Sequence, residues 1–478
     1  MSAANTIPEN VKTIHLIAVC GTGMGALACM LKDLGYTVTG SDANIYPPMS
    51  TFLLGKGLSI FKGFDAKNLA YGPDLVVVGN AVRKDNPEAR AMRDLGLHFC
   101  SMPQALNHFI VADKKALVVT GTHGKTTTSS MLAWILYTAG LDPSFMIGGL
   151  LLDFNGNYRL GNGRYVVLEG DEYDTAYFDK ESKFLHFDPH VAILTSVEFD
   201  HADIFNDLAH VKEAFGRFIN KFSKQNYLIA YDQDKNIDKL LAGKNTDIPN
   251  VPNIKRYGLQ SNSQWRIESA YVKPPWNCFK VSRNGQIFGE FKIKLPGAHN
   301  RFNALAAAAA ACQLGISSDV ITRAFETYSG VKRRQEVRGV KNGVSVIDDF
   351  AHHPTAVKET IKAMRPFYPQ GRLIAVFEPR TNTSMRNIFQ DEYSHAFDMA
   401  DMVCIRKPPL LEKIPEDCRF SSEKLVSDLK KQNIDAVYFS DTDAIIDYVS
   451  GSAKPGDVVL VMSNGGFDNI HERLLEIL

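Results

Sequence analysis

Short apolar runs rich in β-branched residues alternate along the chain with longer stretches in which apolar positions recur every three or four residues. The short runs predict buried strands of parallel sheets, and the longer stretches predict helices packed against them. The first pair is a strand at 13–19 and a helix at 24–34, with Gly21 and Gly23 between them and Gly35 where a helix C-cap glycine belongs. Strands at 37–39, 74–79 and 98–100 complete a first domain, 1–112. The pattern restarts with a strand at 116–120, a loop at 121–125 and a helix at 126–138 that Gly140 stops. Strands follow at 165–168 and 191–195. The stretch 243–275, rich in Asn, Pro and Ser, predicts a loop or small sheet inserted in this second domain, 113–330. The alternating run 288–295 predicts an antiparallel edge, and the alanine-rich 300–315 a helix. A third domain, 331–478, is expected from strands at 344–347, 372–377, 402–405, 436–439 and 458–462 with helical patterns between them. No fixed-period repeat interrupts this order, so the expected class is α/β, built from three successive parallel-sheet units.

Composition narrows the function classes. Among 478 residues, Lys+Arg and Asp+Glu each number 53, a formal net charge of zero. A nucleic-acid or membrane-surface binder normally carries a basic excess, so neither is expected. The seven cysteines are scattered and never spaced C-x-x-C, which points to a reducing compartment without disulfides or a zinc site. Residues 1–8 hold no Lys or Arg, and the first apolar run leads straight into a glycine loop, so no signal peptide is expected. The most apolar helical stretch, 304–314, is too short to span a bilayer. These features predict a cytoplasmic protein without membrane insertion.

Two glycine loops carry the first chemistry. Gly21-Thr22-Gly23-Met24-Gly25-Ala26 fits G-x-G-x-x-G/A between a strand and a helix, and Asp42 ends the next strand. Such a loop admits a diphosphate to a helix N-terminus, and such a carboxylate accepts from ribose hydroxyls; the alternative is a tight turn with no ligand. Whether the ligand is NAD or another diphosphate is not encoded there. The second loop, 120–128, contains Gly124-Lys125-Thr126, the core of a P-loop, although the position of its usual first glycine is Val119. Backbone amides of such a loop cradle phosphates, the lysine pairs with them and the hydroxyl binds Mg²⁺.

Acidic and histidine-bearing segments follow several strands. Glu169-Gly-Asp171-Glu172-Tyr-Asp174 and Glu198-Phe-Asp200-His201-Ala-Asp203 lie at strand ends, where α/β sheets place ligands. Glu169 and His201, with Thr126, form the expected metal set; a solvated acidic turn is the alternative. Asn300 is a candidate N-cap of the alanine-rich helix, and Asn303 a reader of an adenine edge. His123 and His299 also fit hydrogen-bonded structural roles. Lys332-Arg333-Arg334 is either an exposed basic face or a phosphate clamp. Asp348-Asp349-Phe-Ala-His352-His353-Pro354 and Glu378-Pro-Arg380-Thr-Asn382-Thr383 complete the strand-end loops.

In this order the motifs resemble the Mur ligases, ATP-dependent amide ligases of peptidoglycan metabolism, over nearly the whole chain. The resemblance implies a three-domain architecture: a Rossmann-like N-terminal domain, a central P-loop ATPase domain and a Rossmann-like C-terminal domain. It implies ATP and Mg²⁺ as cofactors. Gly121, Thr122, His123, Gly124, Lys125, Thr126, Thr127, Asn300, Asn303, Arg333 and Asp349 would bind ATP. Thr126, Glu169 and His201 would bind the metal. Gly21, Thr22, Gly23, Met24, Ser41, Asp42 and Asn80 would hold UDP-N-acetylmuramate rather than NAD. Lys125, His201, His352 and Arg380 would be catalytic. Asp-Asp-x-x-His-His-Pro is shared by members that add L-alanine and members that add a murein tripeptide. The segments 41–51, Glu172-Tyr-Asp174, 379–383 and 462–466 resemble the latter. That implies joining of L-alanyl-γ-D-glutamyl-meso-diaminopimelate to UDP-N-acetylmuramate through an acyl phosphate, in peptidoglycan recycling, by a monomer or weak homodimer. The alternatives are the L-alanine ligase and, from another class, an NAD-dependent oxidoreductase that would leave Lys125, Glu169 and His201 without a task. Gly170 departs from the pattern, in which alanine is more usual.

Overall fold

The computed structural model describes residues 4–45, 49–242 and 253–478. Part of the expected inserted loop, 243–252, and Tyr46, Pro47 and Pro48 of the segment 41–51 lie outside the described residues. The chain forms two compact units, one of residues 1–197, 209–265 and 306–324, the other of 198–208, 266–305 and 325–478.

The first unit opens with β1 (Thr13–Ile17), α1 (Thr22–Asp33), β2 (Thr37–Asp42), α2 (Met49–Gly55), β3 (Ser59–Lys62), β4 (Leu75–Val78), α3 (Pro87–Asp94), β5 (Phe99–Ser101) and α4 (Met102–Leu106). The strands make an all-parallel sheet in the order β3-β2-β1-β4-β5. Every residue of β4 is buried, as a strand covered on both faces requires. The strand order reverses between β1 and β4, which opens a crevice beyond their C-terminal ends.

A second sheet follows from β6 (Lys115–Thr120), α5 (Lys125–Thr138), β7 (Ser144–Leu151), β8 (Gly156–Arg159), β9 (Tyr165–Gly170), β10 (Pro189–Leu194), α6 (Leu208–Asn220), β11 (Tyr227–Tyr231), α7 (Lys235–Ala242) and β12 (Asn253–Gly258). Its order here is β12-β11-β10-β6-β9-β7-β8, parallel except for the β7–β8 hairpin. β9 and β10 flank β6, so the loops after all three strands converge at one reversal point.

The second unit holds a ribbon of β13 (Trp265–Lys273, whose first residue belongs to the first unit), β14 (Trp276–Arg283) and β15 (Gln286–Ile293), with β14 and β15 antiparallel. Helices α8 (Ala298–Gln313) and α9 (Ser318–Thr327) come next, with residues 306–324 of this stretch belonging to the first unit. Residues 304–311, seven alanines and Leu305, have no exposed surface on any side of α8. The last sheet comprises β16 (Glu336–Lys341), β17 (Val344–Asp349), β18 (Leu373–Phe377), β19 (Met402–Arg406), β20 (Asp435–Phe439) and β21 (Val458–Met462) in the order β16-β17-β21-β18-β19-β20. Helices α10 (Pro354–Met364), α11 (Gln390–Tyr393), α12 (Ser422–Lys431), α13 (Thr442–Ser452) and α14 (Ile470–Ile477) cover it, with an apolar core on each face. No described helix is long and apolar enough to cross a membrane.

The α/β class holds and the expected antiparallel edge at 288–295 is found in β15, but the sheets also carry antiparallel pairs that the expected parallel units did not include. β7–β8, β14–β15 and β16–β17 are antiparallel, each joined by a connection too short for a parallel crossover. Asn300 is not an N-cap: α8 begins at Ala298, which puts Asn300 inside its first turn with its amide buried.

Candidate active site

The loop after β6 is shaped by two glycines with positive φ. Gly121 has φ +129°, and a Cβ there would lie 2.8 Å from the Ser196 amide nitrogen. Gly124, at φ +80°, caps α5. The end of β10 braces the loop: Thr122 N–H donates to Ser196 O (3.0 Å), His123 N–H to Ser196 Oγ (2.9 Å), and Thr195 Oγ1 to His123 O (2.5 Å). The amides at the head of α5 thereby face the crevice, an arrangement that stabilises phosphate.

Lys125 Nζ donates to Gly121 O at 2.7 Å and to Glu172 Oε2 at 2.6 Å. Burial would depress this ammonium, but the carboxylates of Glu172, Asp171 and Glu169 outweigh it and hold the pKa above the usual lysine value. Thr126 Oγ1 donates to Glu169 Oε1 (3.0 Å), and Gly148 N–H to Glu169 Oε2 (2.8 Å). A hydroxyl and a carboxylate oxygen this close are hard donors that a single Mg²⁺ can bridge. Thr127 is buried in the same first turn of α5.

In the crevice between β1 and β4, α1 starts at Gly21 without a side-chain cap, and the Cβ position of Gly21 faces open space. Asp42 holds the loop from below: its two oxygens accept from Cys20 N–H and Asn44 N–H, each at 2.9 Å. Asn80, after β4, donates to Asp174 O at 2.8 Å, which ties this crevice to the acidic turn that carries Glu172.

In the second unit three strand-end loops meet. Ala202 N–H donates to Thr383 Oγ1 (3.2 Å), Asn382 Nδ2 to Asp203 Oδ2 (3.0 Å), and Thr355 Oγ1 to Glu198 Oε2 (2.8 Å). His201, in a left-handed conformation (φ +55°), donates its amide to Asp200 Oδ1 at 2.7 Å. His352 Nε2 lies 3.8 Å from Asp200 Oδ2. Burial pushes the Asp200 carboxyl up, but His201, His352 and His353 together hold it well below the usual carboxylate range. For His352, burial lowers the pKa and the Asp200 charge does not restore it. Arg380 lies 3.6 Å from Glu378 and over Gly465, where a Cβ would stand 2.8 Å from its Cζ. Glu378, fully buried, also accepts from Arg406 and from Ser463 Oγ (2.7 Å).

Sequence profiles match at residues 13–114 (Mur ligase family, catalytic domain), 119–311 (Mur ligase middle domain) and 333–465 (Mur ligase, glutamate ligase domain). The UDP-N-acetylmuramate–L-alanyl-γ-D-glutamyl-meso-2,6-diaminoheptandioate ligase of Escherichia coli (strain K12) is 39% identical over 97% of this chain and 97% of its own. The chain belongs to the Mur ligase family. A second Mur ligase, the UDP-N-acetylmuramate–L-alanine ligase of Acetivibrio thermocellus, is 34% identical over 98% of this chain and 97% of its own. The crystal structure of a murein peptide ligase from Psychrobacter arcticus 273-4 superposes with a TM-score of 0.71 at 36% identity, covering 98% of each chain. Mur ligases are ATP-dependent enzymes that form C–N bonds, so the oxidoreductase reading of the Gly21 loop falls away.

Several residues expected to face ligands of a Mur ligase also make internal contacts. Ser41 is buried, and its hydroxyl donates to Glu88 inside the first sheet. The Met24 side chain is also interior, leaving only its backbone for a ligand. Both Asp42 oxygens are engaged by backbone amides, so this carboxylate shapes the loop. Arg333 donates Nη2 to Ser463 O and Gly465 O, each at 2.6 Å, which fixes its guanidinium against the loop after β21. The Asp349 carboxyl is buried and accepts from Gln335 N–H and Ala351 N–H, each at 2.8 Å. Asn303 donates to Asn300 Oδ1 (3.1 Å), and Asn300 donates to Gln335 Oε1 (2.9 Å). Gln335, Ser196 and Gly148 are site residues to which sequence reasoning assigns no role, and it reads Glu378 only as the head of a strand-end loop. Gln335 directly follows the basic run and Glu378 directly follows a strand, the only signals available for either.

Proposed function

We propose that this Mur ligase joins L-alanyl-γ-D-glutamyl-meso-diaminopimelate to UDP-N-acetylmuramate, with ATP supplying the energy, in peptidoglycan recycling. One observation carries the choice of peptide over L-alanine: the near full-length likeness to the relative named for that ligation, 39% against 34% for the L-alanine ligase. The domains of this reading are 1–112 for the UDP-sugar, 113–330 for ATP and 331–478 for the peptide, in a cytoplasmic monomer or weak homodimer.

The chemistry must bring a carboxylate and a γ-phosphate together, so charge neutralisation is its central need. Lys125 exchanges Glu172 for phosphate oxygens, and the amides at the head of α5 hold the remaining charge. Thr126, Glu169 and, by the family pattern, His201 would hold Mg²⁺, which supplies Lewis-acid neutralisation of the phosphates. The lactyl carboxylate of UDP-N-acetylmuramate takes the γ-phosphoryl group and ADP is released from it. The α-amine of the tripeptide then attacks the acyl carbon, inorganic phosphate leaves, and one amine proton is lost. Arg380 and His352 would steady the peptide or the tetrahedral oxyanion. Lys125→Ala is expected to lower kcat/KM for ATP at least about 100-fold, the loss typical of a charge-stabilising donor.

The test is phosphate release from purified protein with ATP, Mg²⁺ and UDP-N-acetylmuramate, with L-alanine or the tripeptide added in parallel. Release with the tripeptide alone, and a product of the summed mass less water, supports the reading. Release with L-alanine alone transfers the protein to de novo synthesis, and silence with both removes the sugar substrate.

A further inference from the structure

A single hairpin touches both ligand crevices of the first unit. On β7, Gly148 N–H donates to Glu169 Oε2 at 2.8 Å, and a Cβ at Gly148 would stand 3.1 Å from that oxygen. β7 also pairs in parallel with β9, the strand that ends in Glu169 and Gly170. β8 is the antiparallel partner of β7, with Leu151 opposite Gly156 and Met146 opposite Tyr158. From β8, the buried Asn157 sends Nδ2 to Thr22 O at 3.2 Å. Thr22 is the first residue of α1, directly after Gly21. The next residue, Tyr158, donates its hydroxyl to Asp33 Oδ2 at 2.8 Å, at the last residue of α1. Two neighbouring residues of one short strand therefore hold the two ends of the helix whose N-terminus faces the first crevice.

We infer that Asn157 is a positioning residue for the α1 N-terminus, and that through the β7–β8 hairpin it sets that turn in step with the Glu169 side of the nucleotide site. Glu169 is a hydrogen-bond acceptor for β7, so a change in its charge environment acts on Gly148 first. β7 and β8 pair on either side of an irregularity, at Met146–Tyr158 and at Leu151–Gly156; Gly148 and Asn157 both lie between these two anchors, so a shift of one strand there is passed to the other through the paired ends. Asn157 ends that path on the carbonyl of Thr22. Among the described residues no other side chain donates to that carbonyl. The amides of the α1 N-terminus stabilise an anion only where their direction is fixed, so an unpinned first turn binds a diphosphate more weakly. A coupling of this kind is reciprocal: nucleotide at Glu169 tightens the sugar nucleotide, and the sugar nucleotide tightens ADP by the same factor.

The inference rests on the UDP-sugar reading of the first crevice, and calorimetric titration of UDP-N-acetylmuramate, with and without ADP and Mg²⁺, separates the two. Wild-type protein is expected to bind UDP-N-acetylmuramate, with Kd lowered at least about fivefold by ADP, the small end of ordinary coupling. Asn157→Ala is expected to raise Kd about tenfold and bring the ADP factor close to one, while kcat at saturation and the Kd for ADP in the absence of the sugar nucleotide stay within about twofold. Asn157→Asp keeps the size of the side chain but loses the donor, so it is expected to behave as the alanine variant does. Tyr158→Phe releases the hairpin from the far end of α1 with Asn157 intact, and is expected to keep the wild-type Kd within about twofold. Wild-type affinity and an unchanged ADP factor in both Asn157 variants would overturn the inference alone. So would a Tyr158→Phe loss equal to theirs, because hairpin docking rather than the Asn157 donor would then be responsible. Failure of wild-type protein to bind UDP-N-acetylmuramate would overturn the reading of the crevice, and the inference with it.

Discussion

Replacing Glu378 by alanine should damage stability before it damages chemistry, and by a calculable amount. The Glu378 side chain has no exposed surface, and Arg406, which donates to it, is 13% exposed. Removing one partner of such a pair leaves a buried charge without compensation, typically about 3–5 kcal/mol. Arg406 keeps a second partner in Asp468 at 2.7 Å, but Asp468 is 52% exposed, and pairs of that kind contribute about 0–1 kcal/mol. The loss is therefore expected toward the low end, about 3 kcal/mol, with roughly 1 kcal/mol more for the Ser463 hydroxyl that loses its acceptor. At about 2–4 °C per kcal/mol for a domain of this size, the melting of the third sheet should fall by about 8–16 °C. Glu378→Gln keeps an acceptor for both donors and should fall by less than half as much. The assay is thermal melting of the full chain, followed by tryptic sampling of 331–478 at intermediate temperature to locate the loss. A melting point of Glu378→Ala within about 1 °C of wild type would refute the assignment of a compensating buried charge.

Gly121→Ala combines a positive-φ position with a Cβ against the Ser196 amide, and its kcat/KM for ATP should fall about 100-fold, read by coupled ADP release. Gly465→Ala pushes its new methyl into Arg380, a long side chain able to move aside; kcat/KM for the peptide should fall about tenfold with the melting point nearly unchanged. Asp348 predicts an acid limit. Burial raises its pKa, but His471, Arg333 and Arg338 outweigh burial and hold it below the ordinary 3.8. A depressed carboxyl contributes stability above its unfolded value and loses that contribution as pH falls through the folded value. Urea midpoints should therefore drop steeply below about pH 4 in wild type and less steeply in Asp348→Asn, which starts from a lower midpoint at pH 7.

The parts of the fold most legible in the sequence are those where one signal serves two purposes. β6 and α5 stand out because an apolar run, two glycines and a lysine coincide within a dozen residues, and no other local structure satisfies all of them. β21 reads equally well, since all five of its residues are apolar and buried. β3, β8 and β16 escape notice because they are short, lie at or near sheet edges, and mix polar with apolar residues without a clean alternation. Among candidate site residues the limit is different. A carboxylate type is visible in a sequence, but its hydrogen-bond partners are not. Asp42 and Asp349 carry the right chemistry for a sugar or an adenosine, yet the folded chain offers their oxygens to backbone amides first. Ser41 and Asp42 show the same limit by parity: adjacent residues on one strand take opposite faces, and only one looks toward the crevice.

The alanine stretch of α8 has a consequence for how this chain tolerates change. Ordinary helices present one face to water, and a saturation library over such a helix shows a tolerant stripe every three or four positions. Residues 304–311 offer no such stripe, since none has exposed surface. At the seven alanines every larger side chain meets packed neighbours, and glycine, the one smaller choice, weakens the helix by about 1 kcal/mol at each; any smaller residue at Leu305 leaves a cavity. Selection should therefore read this segment as a continuous block with no permissive phase, closed to growth and to shrinkage alike. Drift in this protein has to occur elsewhere, in the strands and loops around a rod whose diameter is fixed.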